Sequence, residues 1–107
     1  MAKLIRDTVA LDILKQNPER VAMFVRYEDR KKALTNKIIE ETLELSAELE
    51  AKDVDKDSVA EEAADIIEVI YAICDFHGID VEEVYEMMIA KRRIKGKFLS
   101  FCCLLPK

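Results

Sequence analysis

The sequence predicts an all-α fold. Half of the 107 residues are hydrophobic and 36% are charged, which is typical of a folded chain rather than a disordered one. The chain contains only two glycines and two prolines, too few for the many turns of an all-β fold. Apolar residues recur at helical spacing, and no apolar run approaches the roughly 20 residues that cross a bilayer. We therefore expect one helical domain over residues 1–107, with no membrane contact.

The cysteines and the net charge exclude several classes of function. The three cysteines, Cys74, Cys102 and Cys103, are odd in number and two are adjacent, so we expect free thiols in a reducing cytoplasm. From these cysteines and the single His77 we expect no typical zinc site. The charged opening residues lack the apolar core of a signal peptide, which also indicates a cytoplasmic protein. The net charge of −5 argues against stable nucleic-acid binding.

Two helices and a connector are predicted in the first half of the chain. The first helix runs from about Lys3 to Gln16, because Asn17-Pro18 disfavours helical backbone. The stretch Val21 to Tyr27 is apolar and partly β-branched, which indicates an extended connector. A long helix follows from near Glu28 to near Lys52.

Two further helices have recognisable ends. Ser58 opens a capping-box sequence before the third helix, and Gly78 suits the left-handed position that ends it. Asp80 is the predicted N-cap of the fourth helix, which Gly96 ends. The apolar stretch Phe98 to Leu105 is expected to pack against the helices, because exposing it would favour aggregation.

The second helix carries acidic residues at the border of its apolar stripe. Glu41 lies three residues after one stripe position and four before the next, so it falls on the edge of the stripe. Glu44 lies one turn further along. The stripe consists of Leu34, Ile38, Leu45 and Leu49.

The third helix places a carboxylate within its apolar face. Glu62 lies in the middle of that face and Asp65 on its border. A carboxylate directed into a core costs several kcal/mol unless it is neutralised, paired or bound to metal. The face consists of Val59, Ile66, Val69, Ile70, Ile73 and Phe76.

The combination of the two acidic pairs predicts a metal centre. Either pair alone is more commonly a solvated helix face. Two consecutive helices that pack antiparallel, however, could bring both pairs together. Oxygen-only ligation favours two Mg²⁺ or Mn²⁺ ions over zinc or copper. A di-iron bundle needs two Glu-x-x-His pairs, which this chain lacks.

An ordered set of motifs resembles a known family. The second helix contains EETLE at residues 40–44, and the third contains EAAD at residues 62–65. The opening residues 3–7 read KLIRD, residues 64–72 read ADIIEVIYA, and residues 91–98 read KRRIKGKF. This set resembles the MazG-like all-α nucleoside triphosphate pyrophosphohydrolases, particularly the branch similar to phosphoribosyl-ATP pyrophosphohydrolase.

The resemblance implies a cofactor, an assembly and two sets of site residues. The cofactor would be Mg²⁺, with Mn²⁺ as a substitute, and the substrate a nucleotide. Two helical hairpins would form a four-helix bundle in a homodimer or a dimer of dimers. The implied metal ligands are Glu41, Glu44, Glu62 and Asp65. The residues implied to contact phosphates or to order the rim of the site are Lys3, Arg6, Lys91 and Lys95.

The expected activity is Mg²⁺-dependent hydrolysis of a nucleoside or deoxynucleoside triphosphate to the monophosphate and pyrophosphate, in nucleotide-pool housekeeping. No Ser, Cys or His constellation offers a covalent nucleophile, so water attacks directly. Glu40 or a ligand carboxylate such as Glu41 accepts the proton, and the sequence leaves that choice open. Two alternatives remain. One is a non-catalytic helical interaction module. It is favoured by Thr8 and Ala10, which replace the Lys and Pro of the similar branch, and by the apolar tail, which could dock on a partner. The other is a phosphoribosyl-ATP pyrophosphohydrolase.

Overall fold

The computed structural model describes residues 3–107, and within that range the chain is all-helical, with four α-helices and no strand. The prediction of an all-α fold is therefore confirmed for the described residues. None of the described helices is long and apolar enough to cross a membrane. The helices are α1 (Asp7–Gln16), α2 (Tyr27–Glu50), α3 (Lys56–His77) and α4 (Val81–Lys95).

The chain divides into two compact units. Among the described residues, the first unit covers 3–73 and contains α1, α2 and most of α3. The second unit, Cys74–Lys107, contains the end of α3, all of α4 and the segment that follows it. The first unit contains all five candidate site carboxylates of α2 and α3, which are Glu40, Glu41, Glu44, Glu62 and Asp65.

The first two helices end close to the predicted positions but α1 begins later. Residues 3–6 are not helical, and α1 begins at Asp7. The prediction of a helix from about Lys3 is wrong: Arg6 has extended backbone at the N-cap, with φ −66° and ψ 148°, and Asp7 is the acidic residue favoured in the first turn. At the other end of α1, the side-chain amide and the backbone N–H of Asn17 both donate to the carbonyl of Ile13. The bounds of α2 agree with the prediction to within two residues.

The start of α3 differs from the predicted capping box. The helix begins at Lys56, two residues before Ser58. The carboxylate of Asp55 accepts a hydrogen bond from the backbone N–H of Asp57 at 3.0 Å and another from the Ser58 hydroxyl at 3.2 Å. Asp is as good a capping residue as Ser, and here it comes earlier in the chain. The assignment of the cap to Ser58 is therefore wrong.

The second unit confirms its helix ends and corrects the expectation for its last residues. The carboxylate of Asp80 accepts from the backbone N–H of Glu82 at 2.9 Å, and Gly78 and Gly96 have φ of +65° and +80°. The stretch expected to pack is instead exposed, because apolar composition without helical or strand periodicity provides no face to dock. Its exposed residues are Phe98, Leu99, Phe101, Leu104 and Leu105.

In the first unit, α2 and α3 bury little apolar surface within the chain. Of the described residues in this unit, only Glu41 and Val69 are buried. Most of the predicted stripe on α2 is half-buried, whereas neighbouring apolar side chains on both helices remain open to solvent. These exposed residues are Ile39, Leu43, Leu49, Ile67, Ile70 and Tyr71.

Candidate metal centre

Helix α2 directs one carboxylate inward and leaves another outside. Glu41 lies between Ile38 and Leu45 on the inner side of the helix, and only 6% of its surface is exposed. Glu40 is half-buried, and Glu44, one turn further along, is exposed. The spacing of three residues between Glu41 and Glu44 keeps them on neighbouring positions of the helix surface. Of these acids, Glu41 is therefore the one that the fold removes from water.

Helix α3 brings two further carboxylates to Glu41. Glu62 and Asp65, three residues apart, are both half-buried. Carboxylate oxygens of Glu41, Glu62 and Asp65 lie within 4.8 Å of one another. A second group, formed by Glu40, Glu41 and Glu44, meets the same distance limit. Glu41 belongs to both groups, so it could contribute a ligand to a cation held by either one.

Two oxygens in this cluster lack a hydrogen-bond partner. Oε2 of Glu41 and Oε2 of Glu62 are buried and accept no hydrogen bond. An unsatisfied buried carboxylate oxygen is costly, because it has lost its water without gaining a donor. A divalent cation would satisfy both oxygens. Since every donor in the cluster is a carboxylate oxygen, the residues fit a hard cation such as Mg²⁺ or Mn²⁺.

Three basic side chains compensate part of the negative charge. Lys37 Nζ lies 3.2 Å from Glu41 Oε1 and 3.4 Å from Glu40 Oε2. Lys3 Nζ lies 3.1 Å from Glu40 Oε1. Arg6 Nη2 donates to Asp65 Oδ1 at 2.7 Å. These contacts tie residues 3–6 to both α2 and α3.

The environment shifts the pKa values of two adjacent glutamates in opposite directions. Burial raises the pKa of Glu41 above its ordinary value, and the negative charge of Glu44 adds to the effect, although Lys37 opposes it. Burial also acts to raise the pKa of Glu40, but the hydrogen bonds and charges of Lys3 and Lys37 outweigh it and the pKa is lowered. Glu40 in turn raises the pKa of Lys3. Glu40 is therefore held in its charged form, while the charged form of Glu41 is disfavoured.

The structure brings most of the sequence-predicted site residues together. Glu41, Glu44, Glu62 and Asp65 fall into the two carboxylate groups that share Glu41. Lys3 and Arg6 contact this cluster, although through carboxylates.

The remaining predicted residues belong to the second unit. Lys91 and Lys95 lie on α4 and are exposed, and their contact with phosphate stays a prediction. Sequence reasoning gave Lys37 no role in the site. Lys37 lies three residues before Glu40 and four before Glu41, and this helical spacing could have indicated that it pairs with both.

Comparison with known proteins supplies one match. Residues 29–96, more than half of the chain, match the family model described as the MazG nucleotide pyrophosphohydrolase domain. The matched range contains all five carboxylates of the cluster and Lys37. It does not contain Lys3 or Arg6. No curated protein and no solved structure matches the chain significantly. The extension of one domain over residues 1–107 stays a prediction.

Proposed function

Because the chain belongs to the MazG nucleotide pyrophosphohydrolase family, we propose that it is a cytoplasmic, Mg²⁺-dependent enzyme that hydrolyses a nucleoside or deoxynucleoside triphosphate to the monophosphate and pyrophosphate. The observation that carries this proposal is the convergence of Glu41, Glu62 and Asp65 within 4.8 Å, with buried oxygens that have no donor. The resemblance of the motifs on α2 and α3 to this family supports the same conclusion.

The proposed roles of the carboxylates follow from their positions. Glu41, Glu44, Glu62 and Asp65 would hold the metal, with Glu41 shared between two cation positions. When bound, Mg²⁺ supplies charge neutralisation to the reacting phosphoryl group and the leaving pyrophosphate. Glu40 lies beside these ligands but outside the group that contains Glu62. It is charged and lies beside the ligands, so we propose that it accepts the proton of the attacking water, although the two lysines that lower its pKa also lower its basicity.

The product distribution tests the reaction type. Purified protein would be incubated with Mg²⁺ and each of the common NTPs and dNTPs, and with phosphoribosyl-ATP, and pyrophosphate and orthophosphate would be measured separately. We expect pyrophosphate and the nucleoside monophosphate in equal amounts, and no orthophosphate. A preference confined to phosphoribosyl-ATP would support the histidine-pathway alternative instead.

The carboxylate assignment is tested by a matched pair of substitutions on α3. Glu62→Gln should lower kcat/KM by more than about 100-fold, since even outer partners of metal ligands commonly change activity by 10–100-fold. Glu68→Gln, an exposed change on the same helix outside both carboxylate groups, should leave it unchanged. A folded wild-type protein that releases pyrophosphate from none of the substrates would favour the non-catalytic interaction module.

The proposed assembly is a homodimer or a dimer of dimers in which α2 and α3 of two copies form a four-helix bundle. Ile39 and Leu43 lie four residues apart on α2, and Ile67 and Tyr71 are equally spaced on α3, so each pair shares one side of its helix. All four side chains are exposed in the single chain. Burial of a large aliphatic side chain is worth about 1.5–3 kcal/mol, which favours covering these positions with a second copy.

A further inference from the structure

The segment of residues 3–6 is bound to the carboxylate cluster at two points. Lys3 pairs with Glu40 of α2 at 3.1 Å, and Arg6 pairs with Asp65 of α3 at 2.7 Å. The partners are 37 and 59 residues apart in the sequence, so neither contact results from local helical spacing. The segment has no regular secondary structure, and these two side chains connect it to the cluster.

The two cations contact carboxylates of the candidate metal centre. Asp65 belongs to the carboxylate group with Glu41 and Glu62, and Glu40 belongs to the other group. Arg6 and Lys3 each donate to one of these carboxylates. The cluster has five carboxylates and three neighbouring cations, which leaves two uncompensated negative charges. The basic side chains therefore reduce the attraction that a divalent cation experiences in the absence of nucleotide.

The three cations differ in how firmly they are held. Lys37 is 18% exposed in its side chain and contacts two carboxylates from within the same helix. The side chains of Lys3 and Arg6 are 69% and 55% exposed, and each contacts one carboxylate. Exposed ion pairs of this kind contribute little net stability and can be exchanged for a better partner. A triphosphate is such a partner, because its oxygens accept from both ammonium and guanidinium groups.

We propose that Lys3 and Arg6 exchange between the carboxylate cluster and the triphosphate, and thereby couple nucleotide binding to metal binding. This inference rests on the proposed function. Without nucleotide, Arg6 competes with the divalent cation for Asp65, and Lys3 at Glu40 reduces the negative charge beside the metal ligands. With nucleotide bound, both side chains move to the phosphates, which frees Asp65 for metal and leaves Glu40 paired with Lys37. Because binding coupling is reciprocal, metal that displaces the two side chains also makes them available to the nucleotide.

The test measures Mn²⁺ binding to the protein without nucleotide, from the electron paramagnetic resonance signal of free Mn²⁺. Arg6→Gln should tighten Mn²⁺ binding by about three- to tenfold, because it removes both a competing donor and a nearby positive charge. Lys3→Gln should act in the same direction, with a smaller effect because Glu40 lies outside the group that contains Asp65. Lys15→Gln, an exposed change on α1, is the matched control and should leave the affinity unchanged.

A second measurement uses a non-hydrolysable triphosphate analogue at saturating Mn²⁺. Arg6→Gln and Lys3→Gln should bind the analogue more weakly than wild type, although they bind the metal more tightly. Arg6→Lys keeps the charge but loses the guanidinium fork, so its Mn²⁺ affinity should stay near wild type while its analogue affinity falls. Opposite changes in the two affinities distinguish this exchange from a structural role, which would weaken both.

Two results would overturn the proposal in distinguishable ways. If Arg6→Gln and Lys3→Gln leave Mn²⁺ affinity unchanged or weaken it, while wild type binds Mn²⁺ and hydrolyses nucleotide, only the exchange is wrong. If wild type and all variants, folded by circular dichroism, fail to bind Mn²⁺, both the exchange and the proposed metal centre are wrong.

Discussion

Glu41→Gln should stabilise the metal-free protein and weaken its response to Mg²⁺. Glu41 is the most buried acid of the cluster, and one of its oxygens has no hydrogen-bond partner. Glutamine keeps nearly the same volume and removes the negative charge. Its amide group is also a hydrogen-bond donor, which a carboxylate is not, and a carboxylate oxygen of Glu62 lies within 4.8 Å.

The size of the effect follows from the distances in the cluster. The carboxylates of Glu40, Glu44, Glu62 and Asp65 each have an oxygen within 4.8 Å of Glu41. Two unit charges at that distance repel each other by about 0.9 kcal/mol even in bulk water, so four neighbours contribute about 3.5 kcal/mol. Attraction to Lys37 at 3.2 Å returns about 1.3 kcal/mol on the same basis. Allowing for attraction to the other cations, we expect Glu41→Gln to raise the free energy of unfolding by about 1 kcal/mol.

Thermal unfolding followed by circular dichroism at pH 7 provides the assay. In EDTA the Tm of Glu41→Gln should exceed that of wild type by about 4–8 °C, the shift that corresponds to roughly 1 kcal/mol in a chain of this size. Adding Mg²⁺ should raise the Tm of wild type by mass action and that of the variant much less. Glu68→Gln, exposed on α3, serves as the control and should follow wild type in both conditions. A lower Tm for Glu41→Gln in EDTA would mean that the pair with Lys37 is a net stabilising ion pair, and would refute the reasoning.

Two further predictions concern pH and assembly. Lys3 contributes to the lowered pKa of Glu40. The Lys3–Glu40 pair therefore stabilises the fold above the ordinary glutamate pKa of 4.5, and this stabilisation is lost as pH falls through the lowered pKa. The Tm difference between wild type and Lys3→Gln should therefore disappear in acid, whereas a difference independent of pH would contradict this. For assembly, Leu43→Asp should shift the oligomer to monomer by light scattering at low micromolar concentration, with Thr42→Asp as the control. A wild-type protein that is already a folded monomer would exclude the proposed bundle.

The sequence predicted the cluster because helical periodicity determines which side chains share a face. Glu62 interrupts an otherwise apolar face of α3, and Glu41 lies at the edge of the stripe on α2. Both are removed from full exposure by the packing of the same two helices, so their convergence could be inferred before the distances were known. The unequal exposure of Glu41 and Glu44 could not be inferred in this way. It depends on the rotation of α2 about its own axis, which a stripe only a few residues wide leaves uncertain.

The features that sequence reasoning missed depend on contacts between distant residues or on competition between neighbours. Residues 3–6 have ordinary helix-forming composition, yet Lys3 and Arg6 pair with carboxylates of α2 and α3 and the segment stays non-helical. Asp55 and Ser58 are both good capping residues, and the earlier one begins the helix. The capping-box pattern favoured Ser58, because Glu61 follows it three residues later.

The residues that make the cluster costly for the fold are the same residues that suit it to a metal. A carboxylate group fully neutralised by lysine and arginine would be stable but would attract a divalent cation weakly. Lys37 compensates part of the charge from a half-buried position, while the more exposed Lys3 and Arg6 can leave. The two buried oxygens of Glu41 and Glu62 remain without a donor. These two unpartnered oxygens destabilise the metal-free fold, and metal binding would remove that destabilisation. A substitution that strengthens the metal-free fold at these positions should therefore also weaken metal binding.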